Sequence, residues 1–122
     1  MKMEICIDVD DIDRAVAFYS RGLGLTLVEH HPDWAQLGLG EQTFWIMKVP
    51  PGSSGPIRRE YVRHWTPVHL DFHVDDIDKA VELAVAAGGR LDREIARDPK
   101  RGDLASLSDP AGNGVDLVQR CG

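Results

Sequence analysis

The sequence predicts an α+β fold built from two copies of one βαβββ module, and three observations carry that prediction. The octamer Val9-Asp10-Asp11-Ile12-Asp13-Arg14-Ala15-Val16 returns as Val74-Asp75-Asp76-Ile77-Asp78-Lys79-Ala80-Val81, identical at seven of eight positions and 65 residues further on. Each copy follows an alternating stretch and opens a run of apolar residues at helical spacing. Each then breaks at glycines and continues as three short strand-like segments. Self-similarity at about half the chain length marks a duplicated unit.

The elements follow in order. Glu4–Val9 and His69–Val74 alternate apolar and polar residues, the period of a strand with one buried face. Asp residues come next, and their carboxylates are suited to accept the free N–H groups of a helix's first turn. Ile12, Ala15, Val16 and Tyr19 then recur at helical spacing, matched by Ile77, Ala80, Val81 and Ala84. Gly22 and Gly24 close the first helix, Gly88 and Gly89 the second. Strands are expected at Leu25–His30, Trp34–Leu39 and Thr43–Val49, and again at Arg90–Ile95, Leu104–Ser108 and Gly114–Gln119. Turn signals separate them at His31-Pro32-Asp33, Gly38–Gly40, Asp98-Pro99 and Asp109–Gly114. The 122 residues thus divide into one domain with a first module at about 1–50, a linker at about 51–65 and a second module at about 66–120. The Pro/Gly/Ser composition of Pro50–Pro56 suits a linker without regular structure.

Composition narrows the function. With 14 basic and 20 acidic residues the net charge is −6, which argues against a nucleic-acid binder. The Arg-rich stretch Arg58–Trp65 is the local exception and reads as a solvated loop, with a lid or dimer-contact segment as the other reading. No apolar run is long enough to span a bilayer and no signal-peptide core opens the chain, so no membrane partner and a cytoplasmic protein are expected. Cys6 and Cys121 are far apart in sequence and form no CxxC or Cys/His cluster; Cys6 is expected as a small buried side chain.

Three stretches carry a family resemblance: Asp11-Ile12-Asp13-Arg14-Ala15-Val16-Ala17-Phe18-Tyr19, the Val68–Asp78 segment with His69, and Asp109-Pro110-Ala111-Gly112-Asn113-Gly114-Val115-Asp116-Leu117. With the βαβββ duplication they resemble the vicinal-oxygen-chelate superfamily of glyoxalases, bleomycin-resistance proteins and extradiol dioxygenases. The resemblance covers essentially the whole chain. It implies a half-open barrel with a small-molecule cavity between the modules, and a homodimer. It does not select an activity, since that fold hosts isomerases, lyases, dioxygenases and plain binders.

The resemblance also implies where a metal would sit: on the first residue of strand one and on the last strand of each module. Glu4 and His69 are repeat equivalents at the first position. An ungapped alignment of the last strands at an offset of 70 pairs Trp34-Ala35 with Leu104-Ala105 and Ile46-Met47 with Asp116-Leu117. The ligand set would then be Glu4, His69 and Asp116, with Ile46 in a fourth slot that has no donor atom. Such a set suits Mn²⁺, Fe²⁺, Ni²⁺ or Zn²⁺ with open positions for substrate oxygens. The other reading is a cavity without metal, where His69 is hydrogen-bonded to Asp116 or Glu4 and the protein binds an antibiotic or metabolite. Alternation places Phe44 and Ile46 on the cavity face, with Lys48 at its end to meet an anionic ligand, and Trp34 and Gln36 likewise. Asp71 and His73 face the cavity from strand one of the second module, either as a proton-transfer pair or solvated. His30 and His31 are expected to be exposed.

Overall fold

The computed structural model describes residues 1–52, 59–63 and 68–121. The first module runs β1 (Ile5–Val9), α1 (Ile12–Ala17), a π-helical turn (Phe18–Gly22), β2 (Thr26–His30), β3 (Trp34–Leu39) and β4 (Gln42–Lys48). The second runs β5 (Leu70–His73), α2 (Ile77–Ala86), β6 (Arg90–Leu91), β7 (Asp103–Ser108) and β8 (Gly114–Gln119). Each module forms a four-stranded mixed sheet, in the orders β1-β4-β3-β2 and β5-β8-β7-β6. This is the expected α+β pair of βαβββ units, with sheets that do not close. Parts of the linker expected at 51–65 and of the Arg58–Trp65 stretch, including His64 and Trp65, lie outside the described residues.

The repeated octamer does the same work twice. Asp11 Oδ1 accepts from the Arg14 amide at 3.1 Å and Asp76 Oδ1 from the Lys79 amide at 3.2 Å, so each helix starts on an aspartate cap. Ile12, Ala15 and Val16 then bury against the first sheet, and Ile77, Val81 and Ala84 against the second. Each fully buried aliphatic or aromatic side chain of this size stabilises the fold by about 1.5–3 kcal/mol. Among the described residues no helix is long and apolar enough to cross a membrane.

The helices differ in how they end. After Ala17 the first widens into a π-turn, closed by the Leu23 amide on the Phe18 carbonyl at 3.1 Å. Phe18 and Tyr19, adjacent in sequence, are thereby both buried, with ring centroids 4.9 Å apart and near-perpendicular planes. Tyr19 packs on Phe44, and Phe18 lies against Gly89 of the second module. The glycines predicted to close the helices divide the labour. Gly24 and Gly88 take positive φ, 81° and 105°, whereas Gly22 and Gly89 permit close approach between modules. A Cβ on Gly22 would sit 3.0 Å from the Ala87 Cβ.

A buried polar link joins the modules beside this contact. Tyr19 Oη donates to Asp109 Oδ2 at 2.8 Å, and Asp109 also receives the Ala111 and Asn113 amides and the Asn113 side chain. Asn113 Nδ2 in turn donates to the Asp8 carbonyl at 3.1 Å. Burial pushes the Asp109 carboxyl above its ordinary value, and these donors pull it back.

Two sequence expectations change here. The strand expected over Arg90–Ile95 is regular only at Arg90–Leu91; the Asp92 amide still bonds the Ser106 carbonyl at 2.9 Å, and its carboxylate turns to Arg63 and Ser108. Cys6 is exposed, because the face it occupies carries no helix.

Candidate functional site

Strand register defines the faces. In the first sheet Cys6 stands opposite Trp45 and Trp45 opposite Gln36; in the second, Asp71 stands opposite Asp116 and Asp116 opposite Ser106. Residues directly opposite share a face, so these are equivalent rungs of the two modules. The alternate residues, Ile7, Ile46 and Ala35 in one sheet and Phe72, Leu117 and Ala105 in the other, pack towards the helices. Both rungs therefore lie on the helix-free faces.

On the second module's helix-free face His69 Nδ1 lies 2.9 Å from Asp71 Oδ1 and 3.5 Å from Asp116 Oδ2. One ligand atom from each of His69, Asp71 and Asp116 falls within 4.8 Å of the others. His69 and Asp71 are exposed, and Asp116 is 7% exposed. Burial pushes the Asp116 carboxyl above its ordinary value; Ser106 lowers it, the Asp71 charge raises it, and His69 and Arg93 lower it again. Asp116 Oδ1 is buried with no hydrogen-bond partner among the described residues. An unsatisfied buried carboxylate oxygen is costly, and a cation would relieve it. One imidazole and two carboxylates are the donor chemistry of a borderline or hard divalent ion, so the residues fit a metal.

The first module's equivalent positions are filled differently. Glu4, the repeat counterpart of His69, lies outside that cluster and accepts from Trp45 Nε1 at 2.7 Å, with Lys2 Nζ at 3.1 Å. The Lys2 and Trp45 donors hold the Glu4 carboxyl below its ordinary value. Trp34 lies beside Trp45 with centroids 5.8 Å apart, and His31 stacks on Trp34 at 4.1 Å. Gln36 shares this half-buried face with Trp34 and Trp45.

Register corrects three other residues. Phe44 and Ile46 are 2% and 0% exposed and belong to the helix-side core, not to the helix-free face. Lys48, two residues on, follows their alternation and is exposed at the strand's end. The cause is a difference in hairpin length. Leu39 pairs with Gln42 across two residues, whereas Asp109 bonds Asn113 across the three residues Pro110-Ala111-Gly112. The last strands therefore correspond at 116 − 45 = 71 rather than 70, so Trp45, not Ile46, is the counterpart of Asp116. A one-residue slip exchanges the faces.

Two cavities flank the seam between β1 and β5. One of about 560 Å³ is lined by Cys6, Asp8, Arg59, Tyr61, His69 and Asn113. The segment 59–63 lies along it, held by Arg59 Nε on Asp8 at 2.8 Å, Tyr61 Oη on the Val49 carbonyl at 2.6 Å and Arg63 Nε on Asp92 at 2.8 Å. The other, of about 590 Å³, is apolar; Phe44, Leu70 and Phe72 line it, with Asp71 and His73 among its polar members. His73 is exposed and shares the Asp71 face by alternation. The sequence reading missed Arg59, which lines the first cavity, and Trp45 as the counterpart of Asp116; counting the residues of the two hairpin turns would have found the second.

A family model described as a glyoxalase-like domain matches residues 4–118. The chain belongs to this glyoxalase-like family. Membership places it in the vicinal-oxygen-chelate superfamily, as the sequence resemblance implied. Among curated relatives the glyoxalase-like chain is 36% identical over 107 residues to CFP32 of Mycobacterium tuberculosis, a glyoxylase by name, covering 84% of this chain. It is 33% identical over 116 residues to the anthracycline biosynthesis protein DauV of a Streptomyces strain, covering 90% of this chain. The chain spans only 38% of the length of each of these relatives. Among solved structures it superposes on the fosfomycin resistance protein FosX of Listeria monocytogenes with a TM-score of 0.75 at 16% identity, covering 99% of this chain and 93% of that one. At that identity the likeness speaks for the fold alone.

Proposed function

We propose that this glyoxalase-like chain binds a small oxygen-rich molecule and acts on it with a divalent cation held by His69, Asp71 and Asp116, as a lyase, isomerase or dioxygenase. The observation that supports this reading best is the buried, unpartnered Oδ1 of Asp116 beside an imidazole and a second carboxylate. A cation bound there supplies Lewis-acid polarisation to substrate oxygens. Asp116 is the buried anchor. His69 and Asp71, both exposed, would hold the cation from the solvent side and help orient the substrate's oxygens. Asp71 replaces Glu4 in the expected ligand set. Relatives named for glyoxylase and anthracycline biosynthesis support a small-molecule substrate.

The test is metal content before and after chelator, with thermal melts on added Mn²⁺, Fe²⁺, Ni²⁺ and Zn²⁺. The expected result is a near-stoichiometric ion and a raised melting temperature in the parent chain, both lost in Asp116→Asn and His69→Ala. Retention of the ion in both variants would overturn the assignment.

A second reading, a binder that needs no metal, is favoured by Trp45 standing at the counterpart of Asp116 and engaging Glu4. Under it, ligand binding is indifferent to chelator. In either case we infer a homodimer. Among the described residues β2 and β6 are the outer edge strands of their sheets, hydrogen-bonded on one side only, and covering such edges is favourable. Sedimentation at several concentrations tests this; a monomer throughout refutes it.

A further inference from the structure

The two cavities at the seam are repeat copies of one another. Residues 5–8 of β1 line the polar one and residues 70–73 of β5 the apolar one, the same strand 65 residues apart. Each also takes one residue from the other's strand, Leu70 in the polar cavity and Ile5 in the apolar one. Each is closed where a hairpin enters its module's last strand, at Asn113 in one and Gln42 in the other. These two differ by 113 − 42 = 71, the offset that relates Asp116 to Trp45.

What fills them differs. The polar cavity receives the chain's own contents: Tyr19 lines it, and residues 59–62 lie along it, with Arg59 paired to Asp8 and Tyr61 bonded to the Val49 carbonyl. In the apolar cavity the repeat counterpart of Tyr19 is Ala84, and every described residue of the lining belongs to one of the modules. A space of about 590 Å³ is left, within the range of small-molecule sites.

Its walls select the ligand. Phe44, Leu70, Phe72 and Leu117 belong to the helix-side core or pack on it, so the body of the cavity is hydrocarbon. Asp71 and His73 alternate with Leu70 and Phe72 and turn their side chains to the helix-free face. Leu39 and Leu83, 48% and 49% exposed, flank the mouth, and Arg21 is exposed beside them. Arg59, Arg63 and Arg97 each pair with an aspartate, whereas Arg21 has no carboxylate partner among the described residues. A guanidinium at the rim of a hydrocarbon cavity offers its donors to an anionic head group.

We propose that this cavity binds an amphipathic anion, a hydrocarbon chain ending in a carboxylate, with the chain against Phe44 and Phe72 and the head on Arg21. The site lies on the helix side of the seam, and its side chains are separate from the His69–Asp71–Asp116 cluster, so this idea and the metal reading fail independently.

Decanoate is the probe, titrated calorimetrically in the presence of chelator against decyltrimethylammonium, a cation on the same chain, and decanol, the neutral chain. Saturable binding of decanoate, about tenfold or more tighter than decyltrimethylammonium, is expected. Arg21→Gln should weaken decanoate about tenfold and leave decanol unchanged, and Leu83→Glu should weaken decanoate at least as much. Both positions are exposed, and circular dichroism verifies that each variant folds. Amide resonances of Leu23, Leu39 and Leu83 should move on binding, and those of residues 59–63 should not. The metal-induced melting shift of Leu83→Glu should equal that of the parent; a lost metal shift with intact decanoate binding would strike the metal reading alone. No saturation, equal binding of the two ions, unchanged affinity in both variants, or resonance shifts confined to residues 59–63 would overturn the proposal. So would a fall in the sedimentation mass of Leu83→Glu without decanoate binding by the parent, which would assign the cavity to a second copy of the chain.

Discussion

Removing one hydroxyl should loosen the join between the modules in a pH-dependent way. In Tyr19→Phe the ring contacts with Phe18 and Phe44 persist, and only the 2.8 Å bond to Asp109 Oδ2 is lost. Three donors remain on the carboxylate, the Ala111 and Asn113 amides and Asn113 Nδ2, so it is not left unsatisfied. The cost is that of one buried bond to a charged acceptor, about 2 kcal/mol. Burial holds the Asp109 carboxyl above its ordinary value of 3.8 in the folded chain. Its own contribution to stability is therefore full below the unfolded value and is lost as pH rises through the folded one. The Tyr19 bond favours the charged form, so its removal costs less when Asp109 is protonated, about 1 kcal/mol for a neutral pair. Urea unfolding at pH 7 and near pH 4 reads the difference. With a slope of roughly 2 kcal/mol per molar, the midpoint should fall by about 1 M at pH 7 and about half that near pH 4. A loss equal or larger at the acidic pH would refute the reasoning.

Other outcomes follow from the same contacts. Gly89→Ala should lower stability by roughly 1–3 kcal/mol, since the added methyl meets the Phe18 ring and lies 2.9 Å from the Ala84 carbonyl oxygen; thermal melts check it. Arg63→Ala should cost about 2 kcal/mol in urea, because it strands Asp92 at a pair whose side chains are 18% and 16% exposed. Arg97→Ala, on an exposed pair with Asp78, should leave the melting temperature within error. Asn113→Ala should destabilise and also shift the Asp8 amide and carbonyl resonances, since its side chain bridges Asp8 and Asp109.

The duplication, the caps and most strand positions were legible because they are local: aspartate caps, apolar periodicity and glycine breaks each state their element within a few residues. The faces of the second module were legible too, since strict alternation from His69 to His73 leaves one assignment. What failed was the comparison between modules. Trp45 and Ile46 are equally plausible partners for Asp116 until the two hairpin turns are measured, and that length is set by how Asp109 folds Ala111 and Asn113 onto itself. Phe44 and Lys48 were misplaced by the same slip. Glu4 was placed on the correct face but given the wrong neighbour, because nothing local to Met3-Glu4-Ile5 announces an indole 41 residues away. Arg59 and Arg63 read as solvated because an ion pair with Asp8 or Asp92 leaves no periodic trace.

The Tyr19–Asp109 link also bears on how the molecule comes apart. Each module holds half of the joint: apart, the first would expose Phe18 and Tyr19 and the second the glycine seat at Gly89, while Asp109 would exchange its phenol for water. The cost of separation is therefore carried by the apolar patch. Partial unfolding of one repeat withdraws support from the other, so the two modules should melt together in a single transition.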